Sequence, residues 1–488
     1  MYGSQERSVA AVCGWAIVLV ALLPGLILQT PGLHVGAALA AQCVVVAHTG
    51  GALTRVLTAT SVRLVALGFW LFAYVWLGLA PLAMIATDTY PLDYRTDEAN
   101  AFAVAALVEV GLLAYSAGAA LAGRRTHDRP VVLEPLLSRR VAPLRVLVLC
   151  GLWLVLAAVL IPRQGGWEAF FTSRQALWQT GAVRDSARSL LNWLLAVPAF
   201  WALLALVHLP RRTKGDRLLR SVRWMLLPLL LALNVVVNNP ISRPRFWAGT
   251  VLLALLFSSR RFNQPRAFRI IAAAITVTVL LVFPYSDYFR YSQREAVHVV
   301  SLTEQLTTNM DYEAFQQMQT GIDYVEETGF SPSAALGPVL VMVPRSVWPD
   351  KPQPVGITLA QYAGYDFHNL SASLWIESYL WAGVPSVVVV FCLLGAAGRR
   401  MDDIRERLRG QRATLALLLV PAFAFYQMIL LRGSLMAIAG PLLLLLTVPL
   451  FITTRAARSS RSPSPALPTA TAAHVPIPGT GGIRVQPH

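Results

Sequence analysis

Charge is scarce in this chain. Asp, Glu, Lys and Arg make up 14% of its 488 residues, against 56% hydrophobic. A soluble domain carries about 25% charged residues to keep its surface in water, so that class is excluded. Cysteine is scarcer still. Cys13, Cys43, Cys150 and Cys392 each fall in a different apolar run, which argues against a disulfide framework and against a thiolate metal site. No Asp-x-Asp pair and no histidine-rich cluster marks a metal, and nothing in the pattern implies a cofactor. The net charge of +16 is not accompanied by a basic patch interleaved with aromatics, so nucleic acid is excluded as a partner.

What the chain does have is long uncharged stretches of the length a bilayer core demands. They fall at 9–29, 31–48, 62–86, 100–122, 143–162, 188–209, 222–238, 244–258, 268–284, 372–397, 411–431 and 433–453. The fold class is therefore all-α, a polytopic integral membrane protein of about 12 transmembrane helices. Most of the basic residues fall in alternate loops: Arg55 and Arg63, Arg124 to Arg140, Arg211 to Arg223, Arg260 to Arg269, and Arg399 to Arg412. Loops rich in Lys and Arg stay in the cytoplasm, which puts both termini there. The positive charge then reflects topology and contact with anionic lipid headgroups. The first apolar segment lacks a small-residue cleavage pattern and reads as a retained helix.

The chain divides into nine spans over 1–284, an extracytoplasmic loop over 285–371, three spans over 372–453, and a tail over 454–488. The Ser, Pro, Ala and Thr of that tail predict a disordered cytoplasmic segment. The long loop predicts structure of its own. Leu302, Leu306, Met310, Phe315, Met318, Ile322 and Val325 recur near helical spacing with Glu304, Asp311, Glu313 and Asp323 between them. That pattern predicts an amphipathic helix at the membrane interface, ended by Gly329. Ala334–Val343 is apolar but too short to span, and predicts a re-entrant or interfacial piece.

On this topology a small set of arginines lies on the side where topology does not call for them. Arg95 sits among acids and reads as a surface ion pair. Arg184, Arg188 and Arg294 read as lipid anchors. Arg174, Arg243, Arg245, Arg290, Arg345 and Arg432, with Lys351, are the candidates for binding a polyanion such as a lipid diphosphate. Guanidinium is always charged, and its planar fork of donors matches phosphate oxygens. Asn238, in the turn before Arg243 and Arg245, is a candidate for sugar hydroxyls. Asn234 and Gln427 are too, though all three serve equally as bridges between helices. Glu109, in mid-span, either ties helices together or lines a cavity.

The most distinctive local sequence is Pro344-Arg345-Ser346-Val347-Trp348-Pro349-Asp350-Lys351-Pro352. Its prolines stiffen a segment that presents Arg345 and Lys351 near the interface, with Trp348 as an anchor. It resembles the PRxxWPxKP stretch of the Wzy-type polymerases, which join lipid-linked oligosaccharide repeat units. Gly165-Gly166-Trp167 with Arg174 downstream, Arg245 opening a short helix, and Arg290 beyond span nine are similar to further features of that family. Ser371 to Gly383, with Glu377, Tyr379 and Gly383, resembles its SxxxxGExYxxxG-like pattern, with Ile376 in place of the glycine. His368-Asn369 resembles the HN pair of O-antigen ligases.

The resemblance implies an enzyme of the bacterial inner membrane with its active site facing the periplasm. Its substrate would be a polyprenyl-diphosphate-linked oligosaccharide, and its partners a chain-length regulator and a flippase. Arginines would neutralise the diphosphate leaving group without a metal. Glu377, an acid just inside the start of a span, is the first candidate for general base, and His368 is the second. Two rival readings remain: a ligase sharing the same donor, and a transporter, which calls for polar residues along a path through both leaflets.

Overall fold

The computed structural model describes residues 8–92, 97–124, 133–172, 186–209, 217–241, 243–281, 301–366, 370–411 and 413–455. The chain is all-helical apart from one two-residue strand pair, and it is built for a membrane. Among the described residues, eight helices are long and apolar enough to cross one. These are α1 (Val9–Leu28), α2 (Ala37–Leu57), α3 (Leu64–Thr87), α4 (Glu98–Arg124), α6 (Pro143–Arg163), α7 (Ser186–Val207), α16 (Val384–Arg407) and α17 (Leu415–Arg432). Three apolar helices are shorter: α8 (Ser221–Val237), α9 (Arg245–Ser258) and α18 (Leu435–Phe451). The remaining helices are α5 (Leu133–Leu137), α10 (Pro265–Leu281), α11 (Leu302–Thr308), α12 (Ala314–Thr328), α13 (Leu336–Val339), α14 (Val355–Tyr362) and α15 (Leu374–Ala382).

The centre of the bundle is α3 and α17. The membrane-length window of α3 is buried throughout, and α17 packs between α3 and α9. Helices this apolar gain nothing from leaving lipid for each other, so close approach of small residues has to hold them together. Gly118 of α4 faces the main-chain carbonyl of Cys392, and Gly395 of α16 faces that of Tyr115, with no room for a Cβ at either. The two helices consequently pack backbone to backbone. Gly68 meets Ala424 in the same way where α3 crosses α17.

Polar side chains serve the backbone where helical hydrogen bonding lapses. Residues Ala73–Leu79 of α3 and Ile17–Leu22 of α1 are π-helical turns, which free carbonyls that lipid cannot satisfy. Gln42 of α2 donates to Leu77 and Gly78 (2.8 Å each), and the Tyr74 hydroxyl donates to the Leu19 carbonyl at 2.7 Å. Arg139 donates to the Leu450 and Thr453 carbonyls at the end of α18, beside the antiparallel pairing of β1 (Arg140–Val141) with β2 (Thr453–Thr454). Asp402 of α16 accepts from the Val65 and Ala66 amides and so caps the start of α3.

Three expectations need correction. The second apolar helix runs from Ala37 to Leu57, not over 31–48, because Gly36 precedes its first turn and the weakly polar 47–57 stretch stays helical against α3. The tenth span begins at Val384. Gly383, at φ +71°, breaks the chain between it and α15, so Glu377 sits on a short helix before the span. The Phe330 ring lies where a Cβ at residue 383 would go, which adds a packing reason for glycine there. The third correction concerns the amphipathic helix. Its residues divide into α11, a 3₁₀ turn at Met310–Tyr312, and α12, and α12 does not lie on the surface. Residues 314–322 are buried against α3, α4, α14 and α15. The Gln316 amide exchanges hydrogen bonds with the Leu92 backbone (2.7 and 3.0 Å), and Asn100 donates to the Gln319 carbonyl at 3.2 Å. Gly329 does end the helix. The Ala334–Val343 piece forms a 3₁₀ turn and α13, with Leu336, Val339, Leu340 and Met342 exposed.

Gly118→Val should lower stability by about 2 kcal/mol or more, because the backbone of α16 has no room to yield. Thermal unfolding of the detergent-purified protein reads this directly. A melting temperature equal to wild type would show that the α4–α16 contact is looser than described.

Candidate functional site

Three segments far apart in sequence bring their charges together at one end of the bundle. Pro244, with φ −56°, sets the entry to α9, and Arg245 is its first residue. Its guanidinium pairs with the Asp311 carboxylate. Arg432, the last residue of α17, approaches from the other side. Its Nη2 lies 3.4 Å from Asp311 Oδ1 and 3.3 Å from Glu313 Oε1, and its Nε donates to the Asp311 main-chain carbonyl at 3.2 Å. Trp76 of α3 donates to that carbonyl as well, at 2.9 Å. The turn carrying both acids is held from within by Asn309, whose side chain accepts from the Asp311 amide at 2.9 Å.

Aromatic rings close the site from the bundle side. Arg432 lies over Phe246 at 5.6 Å, and Trp76 packs against Phe246 at 5.4 Å and Tyr312 at 5.7 Å. Glu313 is almost fully buried, and its Oε1 also accepts from the Ser371 amide at 3.0 Å. Burial raises its pKa above the ordinary carboxylate value, as does Asp311 to a smaller extent. Arg432 and the Ser371 hydrogen bonds pull it back. One buried polar side chain close by has no partner among the described residues: the Gln317 amide, one helical turn beyond Glu313. Such groups are costly unless water or a ligand completes them.

Glu377 stands at the next helix end. The turn from α17 to α18 is only Gly433 and Ser434, and Glu377 Oε1 accepts from the Ser434 hydroxyl at 2.7 Å and the Leu435 amide at 2.9 Å. A carboxylate at a helix N-terminus is favoured by the exposed amides there. Glu377 is nevertheless 1% exposed, and burial outweighs those two bonds, raising its pKa to about 8.

No family model, curated protein or solved structure matches the chain. The geometry alone therefore carries the assignment of residues.

Of the residues singled out in the sequence, Arg245, Arg432 and Glu377 meet at this end. Others do different work. The Arg243 guanidinium is buried: it donates to the Val237 carbonyl at the end of α8 (3.0 Å) and to Asn192 (3.3 Å), and it lies over Phe170. Burial lowers its pKa to about 10. Asn238 bridges helices, donating to Asn234 (2.8 Å) and accepting from Trp247 (2.8 Å). Asn234 and Gln427 are spent on main-chain carbonyls within the bundle. Arg345 donates to the carbonyls of Lys351 and Pro352, and Lys351 to those of Val341 and Val343, so both charges lock their own exposed loop. Trp348 sits half-buried in that loop, and Tyr379 packs edge-on against Phe330. Glu109 pairs with His48 of α2 at 2.7 Å. Arg174, Arg290, His368, Arg95, Arg184 and Arg294, together with the Arg188 side chain, lie outside the described residues.

Asp311 and Glu313 were missed as site residues. Hydropathy assigns them to the wet face of an amphipathic helix. The available signal was Asn309-x-Asp311-x-Glu313, a capping residue followed by two acids directly before an apolar helix.

Two measurements test this arrangement. Arg432→Ala should destabilise the protein by roughly 3 kcal/mol, since it leaves two buried carboxylates short of a cation. Adding Glu313→Gln should recover part of that loss. Simple addition of the two single-variant effects would mean that the residues do not interact. Glu377→Gln keeps an oxygen for Ser434 and Leu435 while removing the ionisable group. A carboxyl raised from 4.5 to about 8 on folding costs stability progressively as pH rises between those values. The variant should melt above wild type at pH 8 and converge with it at pH 5. The same difference at both pH values would refute the buried, proton-holding carboxyl.

Proposed function

We propose that the protein is a glycosyltransferase of the membrane, a polymerase that joins polyprenyl-diphosphate-linked oligosaccharide repeat units into a surface polysaccharide. The observation that carries the reading is the meeting of Arg245, Arg432 and Glu377 at one end of an apolar bundle, beside an exposed apolar segment. By the charge bias of the loops, that end faces the periplasm of a bacterial inner membrane. Gly337 of α13 packs against Met436 at the start of α18, so the apolar 336–342 segment lies alongside the Ser434 turn. A polyprenyl chain fits against such a surface while its diphosphate reaches the arginines.

In the reaction an acceptor hydroxyl attacks the anomeric carbon of the donor. The new carbon–oxygen bond forms as the bond from that carbon to the diphosphate oxygen breaks, and the electron pair leaves with the diphosphate. The ionised fraction of Glu377 takes the hydroxyl proton, and a pKa near the working pH suits it to return that proton afterwards. Arg432 uses Nη2 for the two carboxylates and Nε for the Asp311 main-chain carbonyl, and Nη1 makes no bond to the described residues. A guanidinium so oriented neutralises charge on the leaving oxygens without reorganising. Asp311 and Glu313 hold both arginines in place before the donor arrives. Gln317, whose amide is unpaired among the described residues, supplies polar atoms for sugar hydroxyls.

The decisive experiment compares surface glycan in a strain lacking the gene, complemented with wild type, Arg245→Ala or Glu377→Gln, with membrane levels matched. Single-repeat glycan in the deletion, long chains with wild type, and at least a hundredfold loss of elongation with Glu377→Gln are expected. Polymer left on its lipid carrier but not transferred would make the protein a ligase with the same donor. Unchanged glycan length and attachment would end the proposal.

A further inference from the structure

The opposite end of the bundle holds a second, separate site. A cavity of about 440 Å³ opens between α2, α3, α4 and α16, with Arg55, Arg63 and Arg399 at its mouth and Trp70, Tyr115 and His48 further in. His48 lies seven residues before Arg55 on α2, which puts it roughly 10 Å deeper along the helix axis. Basic residues at this end satisfy the general charge bias of membrane loops, and several of them act as helix caps. Arg139 and Arg223, for example, donate to the terminal carbonyls of α18 and α7. The three arginines at the cavity are arranged differently.

Asp403 of α16 gathers two of them. Arg63 pairs with its Oδ1, and Arg399 Nε lies 2.9 Å from its Oδ2. Both oxygens of that carboxylate are thereby used, and the guanidiniums sit side by side. Arg55 joins them from α2, exposed, with no ion pair or hydrogen bond to the described residues. The neighbouring acid, Asp402, is turned inward onto the Val65 and Ala66 amides, where it feels the charges of Arg63 and Arg405 without a direct ion pair to either. Three cations thus face one carboxylate at the rim of a concavity. Behind them aromatic rings line one side, with Trp70 5.7 Å from Tyr115 and 5.4 Å from His48, and Thr60, Ser61 and Ser116 add hydroxyls to the lining. Glu109 holds His48 through one oxygen, while its Oε2 is buried without a partner among the described residues.

We infer that this cavity binds a phosphate group, with Arg55, Arg63 and Arg399 taking the anion and the Trp70–Tyr115 wall taking whatever apolar moiety the phosphate carries. Guanidinium forks match phosphate oxygens in pairs, and an aromatic wall behind a cationic rim is the complement of an amphiphilic phosphate. The inference is independent of the polymerase reading, because it uses none of that site's residues and lies at the other end of the bundle.

The test uses the full-length chain with two probes: inorganic pyrophosphate titrated calorimetrically into protein in neutral detergent, and phosphatidic acid in phosphatidylcholine nanodiscs, with retained lipid counted by native mass spectrometry. Arg55→Gln combined with Arg399→Gln should weaken binding about tenfold or more. Arg407→Gln, at the same end but outside the cavity, should leave it unchanged. Arg55-dependent binding of pyrophosphate alone identifies a free phosphate ligand, and of phosphatidic acid alone a lipid headgroup. The inference is overturned if neither probe binds, or if all binding survives the double substitution and so belongs to the opposite end.

Discussion

The burial of the Asp311–Glu313 turn between Arg245 and Arg432 is the constraint on which this end of the molecule depends. A carboxylate taken out of water costs several kcal/mol, by order of magnitude, unless a cation and hydrogen bonds replace the lost solvation. Two carboxylates two residues apart double that demand and repel each other. Arg245 enters at the first residue of α9 and Arg432 at the last residue of α17, so the two helices must keep their ends at fixed height and spacing. With the turn held there, α12 follows directly into the bundle, and its Gln316 and the Asn100 of α4 tie it to the 92–100 segment. The described part of the connection between α10 and α15 thus becomes part of the core.

This explains which parts of the structure were legible in the sequence. Transmembrane helices show themselves by composition, because lipid makes one demand on every residue of a span, and each apolar stretch is found as a helix among the described residues. Their ends are less legible. Polar residues such as Thr49 and Arg55 lie within α2, although hydropathy ends the span at residue 48. The most misleading segment is α12. Its apolar face has the spacing of an interfacial helix, but Gln316, Gln317, Gln319 and Thr320 on the other face are buried as well. Periodicity reports that a helix has two faces. It does not report whether the polar face meets water or the polar atoms of other helices.

The arginines show the same limit. Sequence reasoning sorts them by the side of the membrane on which they fall, and that sorting gathers Arg245 and Arg432 with Arg243 and Arg345. Their partners separate them. Arg243 caps the end of α8 over Phe170, and Arg345 closes a loop on its own carbonyls. Neither role leaves a composition signal, because a guanidinium that binds a carbonyl and one that binds a carboxylate are the same residue in the same kind of turn. At the other end of the bundle, Arg139 and Arg63 divide likewise between a helix cap and an ion pair.

The turn between α17 and α18 shows how backbone geometry alone can set up opposite charges side by side. The C-terminus of a helix carries partial negative charge and favours a cation, and the N-terminus of the next carries partial positive charge and favours an anion. Joining the two through Gly433 and Ser434 places both ends within a few ångströms. Arg432 occupies the first, and Glu377 reaches the second through Ser434 and the Leu435 amide. Glu377 need not come from the same helix pair. It arrives from α15, which Gly383 separates from its span so that the carboxyl meets the turn from the side. A cation and a proton-holding acid are thereby fixed near each other without forming a salt bridge, each stabilised by a different helix end. Were they to pair directly, the acid would lose its proton to the field of the arginine and the arginine would lose its reach toward an anion. Holding them on two different helix ends keeps both chemistries available at the same place.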